Sequence, residues 1–186
     1  LNIISGLAAV ALENAVLYKR LSELAITDGL TSLYVHKYFK EKLAKEIKRS
    51  IKTGSPFSVV LLDIDDFKEY NDKHGHIAGD LVLKHIASIL SNSLSAGDMA
   101  ARYGGEEFVL LLLGKNAKEA VKFSEEIRKK IEKTPVILRR KEMYTTVSIG
   151  IAACPRDSNL AEDLFGYADK RLYKAKEKGK NQICAF

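Results

Sequence analysis

Apolar and polar positions fall along this chain in blocks that predict strands and helices in turn. Phe57 to Leu62 is a near-continuous apolar run rich in Val and Leu, the pattern of a central strand buried on both faces. Val109 to Leu113 is a second such run. The periodicity predicts helices over 1–26, 35–52, 76–94, 117–133 and 160–178. It predicts strands over 57–63, 98–103, 108–113 and 144–152, with a short last strand near 181–186. Arg139-Arg140-Lys141-Glu142 reads as an exposed turn between short strands. Two β-α-β halves around an internal hairpin imply an α+β fold, a central, mostly antiparallel sheet flanked by helices.

The first 26 residues stand apart from the rest. Leu7, Val10, Asn14, Leu17, Leu21 and Leu24 alternate at three- and four-residue intervals, an a/d heptad seam. Asn14 takes an a-type position, where a buried amide fixes register in a parallel dimer. The same pattern also suits an amphipathic helix packed on another domain. The expected division is therefore a signalling or coiled-coil helix over 1–26 and a catalytic domain over 27–186. The chain starts without Met and in mid-helix, so it reads as a piece of a longer protein.

Composition narrows the classes. A chain of 186 residues with 46% hydrophobic content has enough apolar material for one core. The net charge of +6 raises the question of nucleic acid or a membrane surface. Much of it sits in Lys170, Arg171, Lys174, Lys176, Lys178 and Lys180, a solvated helix face, and aromatic residues do not interleave with it as a nucleic-acid platform requires. No nucleic-acid partner and no membrane contact by this chain are expected. No stretch approaches membrane-spanning length, and no signal-peptide pattern opens the chain. Cys154 and Cys184 lie far apart, with neither zinc spacing nor a disulfide framework, which suits reduced thiols.

Two acidic sites carry the candidate chemistry. Gly104-Gly105-Glu106-Glu107-Phe108, between strand-like segments, reads as a tight hairpin with carboxylates at its tip. Such acids either solubilise a turn or hold a divalent cation. The buried run from Phe57 ends in Asp63-Ile64-Asp65-Asp66, and carboxylates at a buried strand end are costly unless paired, hydrated or metal-bound. Both Asp63 and Glu106 are expected at a solvent-facing rim. Next comes a polar, glycine-punctuated segment, Phe67 to Asp80, leading into a helix near His76. Within it Asn71 and Asp80 suit a purine edge, since a carboxylate accepts from both N1 and N2 hydrogens of guanine. Asp80 equally suits an ordinary first-turn acid, and His74 and His76 suit either metal ligation or structural hydrogen bonds.

These residues fall into an ordered pattern. Asp63-x-Asp65-x-Phe67-Lys68-x-x-Asn71-Asp72-x-x-Gly75-His76-x-x-Gly79-Asp80, followed by Arg102-Tyr103-Gly104-Gly105-Glu106-Glu107-Phe108, resembles the GGDEF domain of the diguanylate cyclase family. Asp28-Gly29-Leu30-Thr31-Ser32-Leu33, Thr146 to Ala152 and Ala168 to Asn181 resemble its first motif, its penultimate strand and its terminal helix and turn. The likeness covers residues 27 to 186, and Ser5 to Ala15 more faintly resembles the closing helix of a GAF-type sensor.

The resemblance implies a palm-like fold with a ferredoxin-like core, as in nucleotidyl cyclases. It implies condensation of two GTP molecules into cyclic di-GMP with release of pyrophosphate, in the bacterial cytosol. By the same likeness Asp63, the Ile64 carbonyl and Glu106 hold Mg²⁺ or Mn²⁺, two ions per half-site, and Glu107 adds a second catalytic carboxylate beside Glu106. Backbone N–H groups of Phe67 and Lys68 meet terminal phosphates, Asn71, His76 and Asp80 line the substrate, and Lys176 and Lys180 neutralise the phosphate tail. Where the family commonly has arginine this chain has Lys180, which keeps the charge and loses the bidentate fork. Each domain offers one half-site, so a homodimer is implied, driven by an upstream sensor domain. The family's inhibitory product site is incomplete: Asp98 is present, with Ser95 in place of arginine. A non-catalytic GTP-binding module and a cyclase making a mixed AMP-GMP dinucleotide remain as alternatives.

Overall fold

The computed structural model describes residues 26–186, so the helix and heptad seam expected at the N-terminus fall outside the described residues. Six strands form one sheet in the order β1-β3-β4-β2-β7-β8. They are β1 (Tyr34–Val35), β2 (Phe57–Ile64), β3 (Met99–Arg102), β4 (Glu107–Leu113), β7 (Val147–Cys154) and β8 (Ile183–Cys184). The inner pairings are antiparallel, and only the edge strands β1 and β8 pair in parallel. β5 (Val136–Leu138) and β6 (Lys141–Met143) form a separate hairpin around the exposed Arg139-Arg140 turn, as the sequence predicts.

Among the described residues, five helices flank the sheet: α1 (His36–Thr53), α2 (Phe67–His74), α3 (His76–Ser93), α4 (Ala117–Lys133) and α5 (Ala161–Glu177). Side chains alternate across β2, so the strand feeds two cores. Val60, Leu62 and Ile64 pack with Val82, Ile86, Ile127 and Ile131 of α3 and α4. Phe57, Val59 and Leu61 pack on the other face with Phe39, Leu43, Leu164 and Leu172 of α1 and α5. The result is the expected α+β architecture, with every residue of β2 and β7 buried.

Partner length sets strand length. β7 starts at Val147 rather than 144 because its register pairs Val147 with Ile64, the last residue of β2, and it runs on to Cys154 opposite Phe57. α5 lies directly on β7 at Gly150, where a Cβ would fall 2.0 Å from the Ala168 carbonyl oxygen. That close approach brings Lys176, two turns further along α5, over the end of β2.

The segment from Phe67 departs from the sequence reading. It was expected as a polar connector, and it forms α2. Phe67, Tyr70, Asn71 and His74 recur at helical spacing, and Phe67 and Tyr70 pack on the core, so a short amphipathic helix satisfies a segment whose glycines and charges suggest a loop.

Candidate active site

Asp63 continues the odd-numbered face of β2, the face that α5 covers. It is buried, with a side chain only 9% exposed, and its carboxylate meets Lys176 Nζ at 2.9 Å. This corrects the expectation of a solvent-facing rim: α5, pressed on Gly150, roofs the strand end. Burial pushes the Asp63 carboxyl above its ordinary range, Lys176 pulls it back, and the charges of Glu106 and Glu107 push it up again, for a net upward shift.

The hairpin β3–β4 presents Glu106 at its tip, as predicted. Arg102 ties the tip by donating to the carbonyls of Gly104 and Gly105, and its guanidinium reaches the Asp28 carboxylate at 3.4 Å. Asp28 is itself fixed by the N–H and hydroxyl of Thr31, at 2.8 and 2.6 Å. The N-terminal turn and the acidic hairpin are thus one hydrogen-bonded unit.

A cleft of about 260 Å³ opens between the end of β2, the start of α2, the hairpin tip and the end of α5. Asp63, Ile64, Phe67, Lys68, Glu106, Lys176 and Lys180 all line it, so residues far apart in sequence converge on one cleft. α2 begins there, after Asp66 at a φ of +55°, and its first turn offers Phe67 and Lys68 N–H groups without helical partners. Such a helix start favours anions. Lys180 pairs with Asp66 across the cleft mouth.

Other assigned residues do not line this cleft. Asn71 sits on α2 against Gly79, where a Cβ would fall 1.9 Å from Asn71 Oδ1. Asn71 Oδ1 and the Tyr70 hydroxyl are buried without a protein hydrogen-bond partner. Asp80 and His76 lie exposed in the first turn and a half of α3, and the His74 ring packs at a tilt against Tyr70. Glu107 opens β4 opposite Asp63 and lines a neighbouring cleft with Leu61, Tyr103, Phe165 and Asp169 rather than the one holding Glu106.

Asp98 is drawn away from solvent. It accepts from Lys115 Nζ at 2.6 Å and from the N–H groups of Leu113 and Ser95, and its side chain is 1% exposed. Asp65, left open by the sequence reading, proves fully bonded to Thr146, Ser148 and the Asn181 N–H. Its sequence neighbours gave no sign of this, because all three partners lie more than 80 residues away.

Among the described residues, no three of His, Cys, Asp and Glu form a ready-made metal cage. The donor set nevertheless fits a hard cation that uses one or two carboxylates and completes its shell with phosphates. Asp63 is a buried carboxylate whose charge is costly, and a lysine ammonium stands at the place a cation would take.

Residues 25–182 match the family described as diguanylate cyclase, GGDEF domain. Diguanylate cyclase A of Treponema denticola is 36% identical over 183 residues, covering 97% of this chain and 48% of that protein. The response regulator PleD of Caulobacter vibrioides is 37% identical over 163 residues, covering 87% of this chain and 36% of that protein. The chain thus spans about half or less of these curated relatives. The GGDEF domain of DgcB from Caulobacter crescentus, solved in complex with c-di-GMP, superposes with a TM-score of 0.80 at 34% identity, covering 87% of this chain and 95% of that one. Diguanylate cyclase SiaD from Pseudomonas aeruginosa, solved with its activator SiaC, gives a TM-score of 0.83 at 28% identity, covering 100% of this chain and 73% of that one. The fold, the converging acids and these relatives together show that the chain belongs to the GGDEF domain family of diguanylate cyclases.

Proposed function

We propose that this chain joins two molecules of GTP into cyclic di-GMP. The observation that carries this reading is the convergence of Asp63, Glu106, Lys176, Lys180 and the start of α2 on one cleft. In each of two steps the 3′-hydroxyl oxygen of one nucleotide bonds to the α-phosphorus of the other, and the bond to pyrophosphate breaks. Two such steps close the ring and release two pyrophosphates. A divalent ion, Mg²⁺ or Mn²⁺, would lower the charge on the phosphates and on the attacking oxygen.

The remaining work falls to the chain. Asp63, the Ile64 carbonyl and Glu106 would hold two such ions per half-site, and Glu106 also stands to take the 3′-hydroxyl proton. Glu107, across the strand pair from Asp63, adds negative potential there and raises the affinity for cations. Phe67 and Lys68 N–H groups, Lys176 and Lys180 position and neutralise the triphosphate, which is most of what phosphoryl transfer asks of a protein. Asn71, packed against Gly79, and the exposed Asp80 that follows that glycine would read the N1–H and N2–H₂ edge of guanine. His76, exposed at the start of α3, borders the same edge.

One domain offers one half-site, so turnover needs two copies face to face, and the heptad seam over residues 7–24 is suited to pairing them under an upstream sensor domain. Asp98, consumed by Lys115 and two backbone groups, and Ser95, which lacks a guanidinium, leave no grip for inhibitory product.

Incubation at high protein concentration with Mg²⁺ and equimolar GTP and ATP, with products identified by chromatography and mass, tests this reading. Cyclic di-GMP as sole product is expected. A mixed dinucleotide would overturn the guanine assignment, and no product from a zipper-fused dimer would overturn the activity.

A further inference from the structure

Asp65 is an acid of the strand end that the chemistry above leaves unused. Its carboxylate accepts from Thr146 Oγ1 at 2.7 Å, Ser148 Oγ at 2.6 Å and the N–H of Asn181 at 3.0 Å. Its own N–H donates to the Thr146 carbonyl at 3.0 Å. These donors are neutral, so the charge of Asp65 is held in place rather than cancelled. They also come from two separate segments, the start of β7 and the turn after α5.

That turn is under backbone strain. Gly179, Lys180 and Asn181 have φ of +109°, +61° and +47° in succession. Two consecutive non-glycine residues in the left-handed region persist only where their surroundings over-determine them, and such strain clusters at functional sites. The surroundings here grip Asn181 from three sides. Its N–H is held by Asp65, its Oδ1 accepts from Arg128 Nη1 at 2.6 Å, and its Nδ2 donates to Glu132 Oε1 at 2.6 Å. Arg128 is in turn braced by Glu125 of the same helix. The end of β2 and α4 thereby clasp the residue next to Lys180, whose ammonium reaches Asp66 at the cleft mouth.

We propose that Asp65 and Asn181 are positioning residues that hold the strained turn so that the Lys180 ammonium meets the terminal phosphates of GTP. The inference rests on the phosphate role given to Lys180 above. A lysine presents a point charge with no fork to align it, so its placement depends on where the backbone starts the side chain. Neither Asp65 nor Asn181 touches the reacting atoms.

The test separates phosphate capture from general damage. Equilibrium binding of 3′-deoxy-GTP and 3′-deoxy-GMP with Mg²⁺ is measured for the wild type, Asp65→Asn, Asn181→Gly, Lys180→Ala and the double variant Asp65→Asn/Lys180→Ala. The missing 3′-hydroxyl prevents turnover, and the monophosphate lacks the groups Lys180 would meet. Asp65→Asn and Asn181→Gly are expected to lose about 10-fold in triphosphate affinity, the scale of one charge-assisted contact, with monophosphate affinity unchanged. The double variant is expected to be no weaker than Lys180→Ala alone, because residues acting through one group are not additive. Equal losses for both nucleotides, or additive losses in the double variant, would overturn the clasp and leave the phosphate role of Lys180 standing. A wild type that prefers the triphosphate no more than Lys180→Ala does would overturn that phosphate role, and the clasp with it. Asn181→Gly relieves the strain while removing the side-chain tie, so it reports even if Asp65→Asn fails to fold.

Discussion

Asp63 and Asp98 sit at opposite ends of β4, both nearly buried, each paired with one lysine, and they have different characters. Asp98 receives Lys115 at 2.6 Å and two backbone N–H groups, and Lys115 also lies over the Phe123 ring. Both oxygens of that acid are spent on tying the turn before β3 to the end of β4. Asp63 meets Lys176 at 2.9 Å, beside two further carboxylates that raise the cost of its charge. Burial alone therefore does not mark a functional acid. A satisfied buried carboxylate holds structure together, whereas an under-compensated one is a place where a cation gains free energy by binding.

The largest test of this contrast is loss of turnover. Asp63→Asn and Glu106→Gln are each expected to lower cyclic di-GMP formation by about 10²–10³-fold or more, as removal of a principal electrostatic contact does. Asp98→Ala, assayed where it is folded, is expected to match the wild type, and added cyclic di-GMP is expected to leave the initial rate unchanged in both. Marked product inhibition would break the assignment of Asp98 to structure alone.

Next in size is the guanine recognition proposed for Asn71. Gly79→Ala drives a Cβ to within 1.9 Å of Asn71 Oδ1 and must displace the amide. A rise in KM for GTP of about 10-fold, the value of one specific hydrogen bond, is expected for it and for Asn71→Ala. An unchanged KM in both would remove Asn71 from recognition.

Stability should move in opposite directions at the two acids. Asp98→Ala strands Lys115 and two N–H groups, a cost of about 1–3 kcal/mol, which lowers Tm by about 2–4 °C per kcal/mol in a domain of this size. Asp63→Asn removes a costly charge, so the metal-free protein should melt higher. The sign follows from linkage. The folded carboxyl titrates above its ordinary 3.8, so the wild type loses stability as pH rises from 3.8 through the raised value, while the amide does not titrate. The gap in Tm should open across that window and persist to neutral pH; scanning calorimetry showing no gap at pH 7 would remove the strain ascribed to Asp63.

Much of the fold was legible because its signals are local. The apolar runs of β2 and β4, the hairpin acids and the amphipathic stretch of α4 each declare themselves within a few residues. α2 was missed because Gly75 cuts it off after two turns and Phe67 is its only buried residue. The ends of β7 were displaced because strand length belongs to the partner strand.

By itself the sequence determined which acids and lysines this chain has for nucleotide chemistry, at what spacing, and on which kinds of element. The tertiary structure decided what each is free to do. It buried Asp63 beneath α5, spent Asp98 on Lys115, turned Glu107 into a neighbouring cleft and bound Asp65 to a strained turn over 110 residues away. The physical reason is that the state of a carboxylate depends on the donors and charges within a few ångströms of it, and chain folding, not sequence proximity, chooses those neighbours.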